Sequence, residues 1–171
     1  MIACTIAPGR GDTDLILATL AHKLRGEGLR LCGTVQVNTD RADTGRCDMD
    51  VRVLPDGPTL RISQDLGRHA RGCRLHPEAL ETAVGHAMRA LERGADLLII
   101  NKFGKHEAEG RGFRGVIGEA VAQGIPVLVG LNALNVPAFE AFTGGIAEKL
   151  PPETDALLNW VRTHVNMPVA V

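Results

Sequence analysis

The chain has no tyrosine, one tryptophan and four phenylalanines among its 171 residues, so it is poor in the aromatic platforms on which single-stranded nucleic acids stack. It also lacks an excess of either charge. Nineteen Lys and Arg face twenty Asp and Glu, a formal net charge of −1 with pI near 6.6, which removes the basic footprint of a nucleic-acid or anionic-membrane binder and requires any anion site to be built locally. No apolar stretch approaches the roughly 18–20 residues of a membrane span, and no charged leader followed by an apolar run stands at the start. The expectation is a cytoplasmic protein with no nucleic-acid partner and no membrane insertion, a homo-oligomer being left open. Cys4, Cys32, Cys47 and Cys73 form no C-x-x-C pair, against a zinc ribbon or disulfide framework. Cys4 and Cys32 fall in apolar strand patterns and read as small buried hydrophobes. Spacing gives no support to a metal pair of Cys47 and Cys73, and no metal ligands are assigned.

The twenty glycines mark many tight turns, and the length suits one domain over residues 1–171. MIACTIA reads as a strand buried on both faces, running into a PGRG turn. A helix follows, with Thr13 or Asp14 as its cap and Leu15, Ile16, Leu17, Leu20 and Leu24 recurring at helical spacing, until Gly26 and Gly28 stop it. LRLCGTVQVN reads as a second strand and TDRADTGRCD as a polar loop. MDVRVLPDGPTLRISQ reads as a hairpin about its PDGP turn. HPEALETAVGHAMRALERG reads as a helix with proline near its start. ADLLIIN, the most apolar strand, belongs at the sheet centre. A helix around FRGVIGEAVAQG, a strand PVLVGLN and a last helix around TDALLNWVRTHV complete the pattern. The fold class is therefore α/β, a three-layer sandwich with a mostly parallel sheet and an inserted β-hairpin. Ligands in such folds sit at the carboxyl ends of strands, which selects residues 7–14, 36–47, 101–112 and 131–137.

Residues 6–14, IAPGRGDTD, lie where a phosphate-binding loop would be. A P-loop needs G-x-x-x-x-G-K-[ST], because backbone N–H groups cradle phosphate, the lysine adds charge and the hydroxyl holds Mg²⁺. Aligned on Gly11 and Thr13, the first glycine is replaced by Ile6 and the lysine by Asp12. A carboxylate there repels a triphosphate by several kcal/mol, on the order of what two like charges a few ångströms apart experience at an effective dielectric near 20. The simpler reading is a strand-to-helix turn. The tripeptide Arg10-Gly11-Asp12 carries no meaning without an export signal.

DLLIINKFGKHEAEGRG offers a second candidate. The strand-end acids that organise Mg²⁺ and position water in phosphoryl transfer are here Asn101 and Lys102. Gly104 at the fourth place of N-K-x-D removes the carboxylate that would read guanine. Lys102, Lys105 and Arg111 stand beside Glu107 and Glu109, either as a self-neutralising polar loop or as an anion site whose lysines come from this segment. A third stretch gathers Arg68, His69, Arg71, Cys73, Arg74 and His76 before a helix, where anions are attracted by guanidinium groups and the helix dipole. Its solvated-loop reading is the commoner one. Arg71, Cys73 and Arg74 are kept as secondary candidates, Cys73 because a neighbouring arginine lowers a thiol pKa.

The run of LRLCGTVQVN, RCDMDVRVL, ISQDLG, GCRL, DLLIINKFGKHEAEGRGFR and GIPVLVGLN resembles the bacterial "domain of unknown function 2478" family over nearly the whole chain. That family looks like a degenerate relative of the small P-loop nucleoside triphosphatases, whose second acidic motif runs D-E-x-G-K-x-E; Asn101 and Lys102 replace its two acids, while Gly104, Lys105 and Glu107 match. The resemblance implies a P-loop-NTPase-like fold and a role in molybdate or tungstate handling, and carries over no catalytic residue.

The expected function is therefore binding of a small anion, a nucleotide phosphate or an oxyanion such as molybdate or tungstate, at the strand ends, with weak or no hydrolysis. Gly9, Arg10, Gly11, Asp12 and Thr13 supply the loop, Lys102, Lys105 and Arg111 further charge, and Gln36, Asn38 and Asn101 neutral hydrogen bonds. The enzyme alternative is an Mg²⁺-dependent phosphohydrolase in which Asp12 or Asp96 and Thr13 hold the metal and Glu107, the one catalytic candidate, orients water. The third alternative is a scaffold or regulatory protein whose cleft is closed by an Asp12 ion pair to Lys102 or Lys105. Across the cleft, Asp12–Lys102 is the expected pair.

Overall fold

A computed structural model describes residues 1–40, 47–64 and 75–165. The strands are β1 (Ile2–Thr5), β2 (Leu31–Asp40), β3 (Cys47–Val53), β4 (Thr59–Arg61), β5 (Leu97–Phe103), β6 (Val127–Leu131) and β7 (Glu148–Leu150). The α-helices are α1 (Asp12–Gly26), α2 (Pro77–Glu92), α3 (Lys105–Ala108), α4 (Arg114–Ala122), α5 (Val136–Thr143) and α6 (Thr154–His164). The sheet runs β4-β3-β2-β5-β6-β1-β7. Every pair from β2 to β7 is parallel, and β3 and β4 add antiparallel strands at one edge. The inserted hairpin is thus present, and β5 is the central strand, as its apolar run requires.

Alternation along β5 sorts the two cores. Leu97 and Ile99 pack with Leu17, Leu20 and Leu24 of α1 and with Leu157 and Val161 of α6. Leu98 and Ile100 face the opposite way, into a cluster with Ala87 and Leu91 of α2, Ile117 of α4 and Phe139 of α5. Phe103 at the end of β5 meets Phe139 edge-on at 5.2 Å, an aromatic contact that docks α5.

Three features differ from expectation. α1 begins at Asp12 with Gly11 as its N-cap and no side-chain cap, so Thr13 and Asp14 lie inside the first turn. β2 continues to Asp40 because its far half pairs with β3 from Thr34↔Val53 to Asp40↔Cys47, and this ladder satisfies backbone groups that a polar composition alone assigns to a loop. The segment between β6 and the last helix, for which no element was expected, holds α5 and β7. α5 packs through Val136, Ala138, Phe139 and Phe142, but at eight residues it is too short for a helical period to stand out.

Candidate functional site

β1 ends at Thr5 and the chain reaches α1 through residues 6–11. Gly11 has φ +84°, a left-handed conformation that a glycine adopts without steric cost. The loop is tied shut by the Ala7 N–H, which donates to Thr13 Oγ1 at 2.9 Å. α1 can sit this low because β6 carries Gly130 beneath it. A Cβ at Gly130 would lie 2.7 Å from Leu17 Cδ1 and 3.1 Å from Thr13 Cγ2.

The cross-cleft ion pair exists, but with a different aspartate. Lys102 Nζ lies 3.1 Å from Asp14 Oδ1 and 3.4 Å from its Oδ2. Asn38 Nδ2 donates to Asp14 Oδ2 at 2.6 Å, and Gln36 Nε2 to the same oxygen at 3.4 Å and to Asn38 Oδ1 at 2.8 Å. Asp14 is 2% exposed. Asp12 is exposed, and its carboxylate folds back over Gly9, where a Cβ would stand 2.0 Å from Asp12 Oδ2. The expected Asp12–Lys102 pair is therefore corrected to Asp14–Lys102. The reason is helical geometry: residues 14, 17, 21 and 24 share one face, the face that α1 buries, and Asp12 does not lie on it. Lys102 reaches this pair from a place where β5 breaks step with β6, Asn101 pairing with Gly130 and Phe103 with Leu131. Such an irregularity re-aims a side chain.

Around the pair is a cleft with two lobes of about 530 and 630 Å³. Arg10, Gly11, Asp14 and Lys102 border both. The first lobe lies between residues 6–11 and Leu131–Ala133; the second is closed by Gln36, Asn38, Asp40, Cys47 and Met49. The structure thus gathers Gly9, Arg10, Gly11, Thr13, Gln36, Asn38 and Lys102 at the carboxyl ends of β1, β2, β5 and β6, where the fold class places ligands. Asn101 stands beside Lys102, 1% exposed, and neither amide atom has a hydrogen-bond partner among the described residues. Asp14, which borders both lobes, is the residue that the motif comparison missed; its place on the apolar face of α1 was the available signal.

The remaining candidates lie elsewhere. Lys105 and Arg111 both pair with Glu109 on the exposed surface and border neither lobe. Asp96 pairs with Arg30 at 2.6 Å just before β5, at the opposite end of the sheet from the cleft. Arg68, His69, Arg71, Cys73 and Arg74 lie outside the described residues, and His76 caps α2, its Nδ1 accepting the Ala79 N–H.

Glu107, expected to orient water, is 2% exposed and borders neither lobe. Its two carboxylate oxygens accept the Gly104 and Phe113 N–H groups at 2.9 and 3.2 Å, so its place is in the α3 turn. Burial pushes its pKa above the ordinary 4.5, against the opposing pull of those N–H groups. An acid whose folded pKa is raised binds its proton more tightly folded than unfolded, so its contribution to stability is full in acid and declines as pH rises through 4.5 towards the folded value. Denaturant titrations across this window are expected to show that decline in the native chain and its loss in Glu107→Gln.

The architecture is that of P-loop nucleoside triphosphatases. It superimposes on a human cancer-related nucleoside triphosphatase, solved in solution, with a TM-score of 0.61, 17% identity and 95% of each chain covered. Crystalline THEP1 from the hyperthermophile Aquifex aeolicus gives a TM-score of 0.58 at 16% identity, again over 95% of each chain. Among curated proteins, the molybdenum import ATP-binding protein ModC 2 of Bradyrhizobium diazoefficiens is 35% identical over 161 residues, 94% of this chain. The chain spans only 18% of the length of that relative. The family model described as protein of unknown function (DUF2478) matches residues 2–160, and the chain belongs to that family.

Proposed function

We propose that the chain binds a small dianionic oxyanion, a phosphate group, molybdate or tungstate, where the two lobes meet, and that it hydrolyses nucleotides weakly or not at all. The observation that carries this reading is the convergence of Arg10 and Lys102 on the border shared by both lobes. Two cations offer charge-assisted hydrogen bonds to a tetrahedral anion, and the Asn38 amide, which spends one N–H on Asp14, has a second to add. Asp14 and Asp40 border the same space and oppose a more highly charged triphosphate. Two observations support weak or absent hydrolysis: Asn101 and Lys102 stand at the strand end, and Glu107 is held in the α3 turn by two backbone N–H groups. The name of the curated relative, a molybdenum import ATP-binding protein, supports molybdate among these anions and with it a role in molybdenum handling.

Calorimetric titration with molybdate, tungstate, sulfate, phosphate, ATP and GTP, with phosphate release followed in parallel, tests the reading. Saturable binding of at least one oxyanion is expected, weakened about tenfold or more by Arg10→Ala, the loss of one charge-assisted contact. Nucleotide turnover above roughly one per minute, far below typical enzymatic rates, would overturn it.

A further inference from the structure

P-loop NTPases hold Mg²⁺ through the hydroxyl of the loop Ser or Thr and an acid on a neighbouring strand. The residues here do not fit that ion. Thr13 is 7% exposed and one of the two lone pairs of its Oγ1 is spent on the Ala7 N–H, so it presents little to a cation in the cleft. The strand-end position holds Asn101, whose neutral amide supplies no charge. Among the described residues, no group of three or more His, Cys, Asp or Glu side chains is arranged to hold a metal. The carboxylate that α1 does turn towards the strands, Asp14, is met by an ammonium group.

We infer that the Lys102 ammonium stands in for the divalent cation, so that the cleft binds its anion independently of metal. Lys102 Nζ lies 3.1 and 3.4 Å from the two oxygens of Asp14, and its side chain remains 28% exposed. An ammonium has three N–H donors; Asp14 occupies two at most, which leaves one for the cleft that Lys102 borders on both sides. A metal ion bridges protein carboxylate and ligand oxygen in the same manner, with the difference that this cation is covalently tethered and cannot be chelated away. Asp14 Oδ1 has no hydrogen bond among the described residues and faces only the ammonium, so removal of Lys102 leaves a buried carboxylate open to a metal ion. The statement about anions rests on the proposed function; the statement about Lys102 and Asp14 does not.

Two arms separate them. In the first, molybdate and ATP are titrated into the native chain in excess EDTA and then in millimolar Mg²⁺. Affinities equal within about twofold are expected, and a gain of about tenfold or more with Mg²⁺ overturns the inference while leaving the proposed function standing. In the second, Mn²⁺ alone is titrated and water-proton relaxation is followed. The native chain is expected to bind none at millimolar Mn²⁺. Lys102→Met is expected to gain one site that is half-filled at about 0.1 mM Mn²⁺ or below, tenfold under the concentration at which the native chain shows none, and Lys102→Met with Asp14→Asn to lose it. Mn²⁺ binding by the native chain that disappears in Asp14→Asn, or no gain in a folded Lys102→Met chain, overturns the inference whether or not any anion binds. Should Lys102→Met not fold, Mn²⁺ binding by the native chain decides the second arm. Should no anion bind in either medium, the proposed function falls and the Mn²⁺ arm still decides the role of Lys102.

Discussion

Gly33→Ala is expected to abolish the native fold, with a loss of stability above about 4 kcal/mol that places it among the exceptional substitutions. Gly33 sits in β2 opposite Ile99 of the central strand with φ +98°, a conformation that side chains rarely adopt. A Cβ there would stand 1.9 Å from the Ile99 carbonyl oxygen and 2.8 Å from its carbon. Both neighbours are backbone in the middle of the sheet, so neither can turn aside as a flexible side chain would. The Gly33 carbonyl also accepts the Leu54 N–H at 2.9 Å, so displacing this residue disturbs the chain after β3 as well. Circular dichroism and urea titration measure the effect, and Gly118→Ala is the control. Gly118 lies in α4 with open space at its Cβ position, and alanine there is expected to stabilise by about 0.5–1 kcal/mol. Equal behaviour of the two variants would show that the close approach of β2 to β5 is not a requirement of the fold.

Lys102→Met is expected to cost about 2–4 kcal/mol, and Asp14→Asn distinctly less, because removing one partner of a buried pair leaves the other uncompensated. The asymmetry follows from burial. Asp14 has a side chain 3% exposed and cannot reach water when its cation is removed, whereas Lys102, 28% exposed, can turn its ammonium outward. An asparagine at 14 also keeps an oxygen that can accept from Asn38 Nδ2, now 2.6 Å from Asp14 Oδ2. The double variant Lys102→Met with Asp14→Asn should recover much of the loss, giving a coupling energy of about 0.5–3 kcal/mol, the range found for residues in direct contact. Additive effects in urea titrations would mean that the two groups do not depend on each other for their charge.

Much of this arrangement was legible in the chain. The apolar runs MIACTIA, ADLLIIN and PVLVGLN hold β1, β6 and most of β5, the PDGP turn joins β3 to β4, and strand-end geometry brings the loop 6–11 to Gln36, Asn38 and Lys102. The misplacement of Asp12 arose from aligning the loop as a motif, which records which residue replaces the lysine but not which face of α1 it occupies. Helical periodicity marks Asp14, with Leu17, Ala21 and Leu24, as buried, so a charge at that position demands a partner. The direction of Lys102 was beyond sequence, since it depends on the irregular pairing of β5 with β6. The same holds for Glu107, because the acceptance of the Gly104 and Phe113 N–H groups is a property of a folded turn.

Burial of Asp14 against Lys102 also constrains the order in which substitutions could convert this cleft into a hydrolytic one. Position 12 is exposed and takes no part in the pair, so lysine can be introduced there as an independent step. Positions 14 and 102 have no such freedom. An acid placed at 102 while Asp14 remains would remove the cation that faces the buried carboxylate and put a like charge on the same side of the cleft; two like charges repel by on the order of 4 kcal/mol at 4 Å and an effective dielectric of 20, a sizeable part of the stability of a domain. Asp14 must therefore be neutralised before or together with any change of sign at 102, which makes the pair a point of epistasis in the history and engineering of this fold.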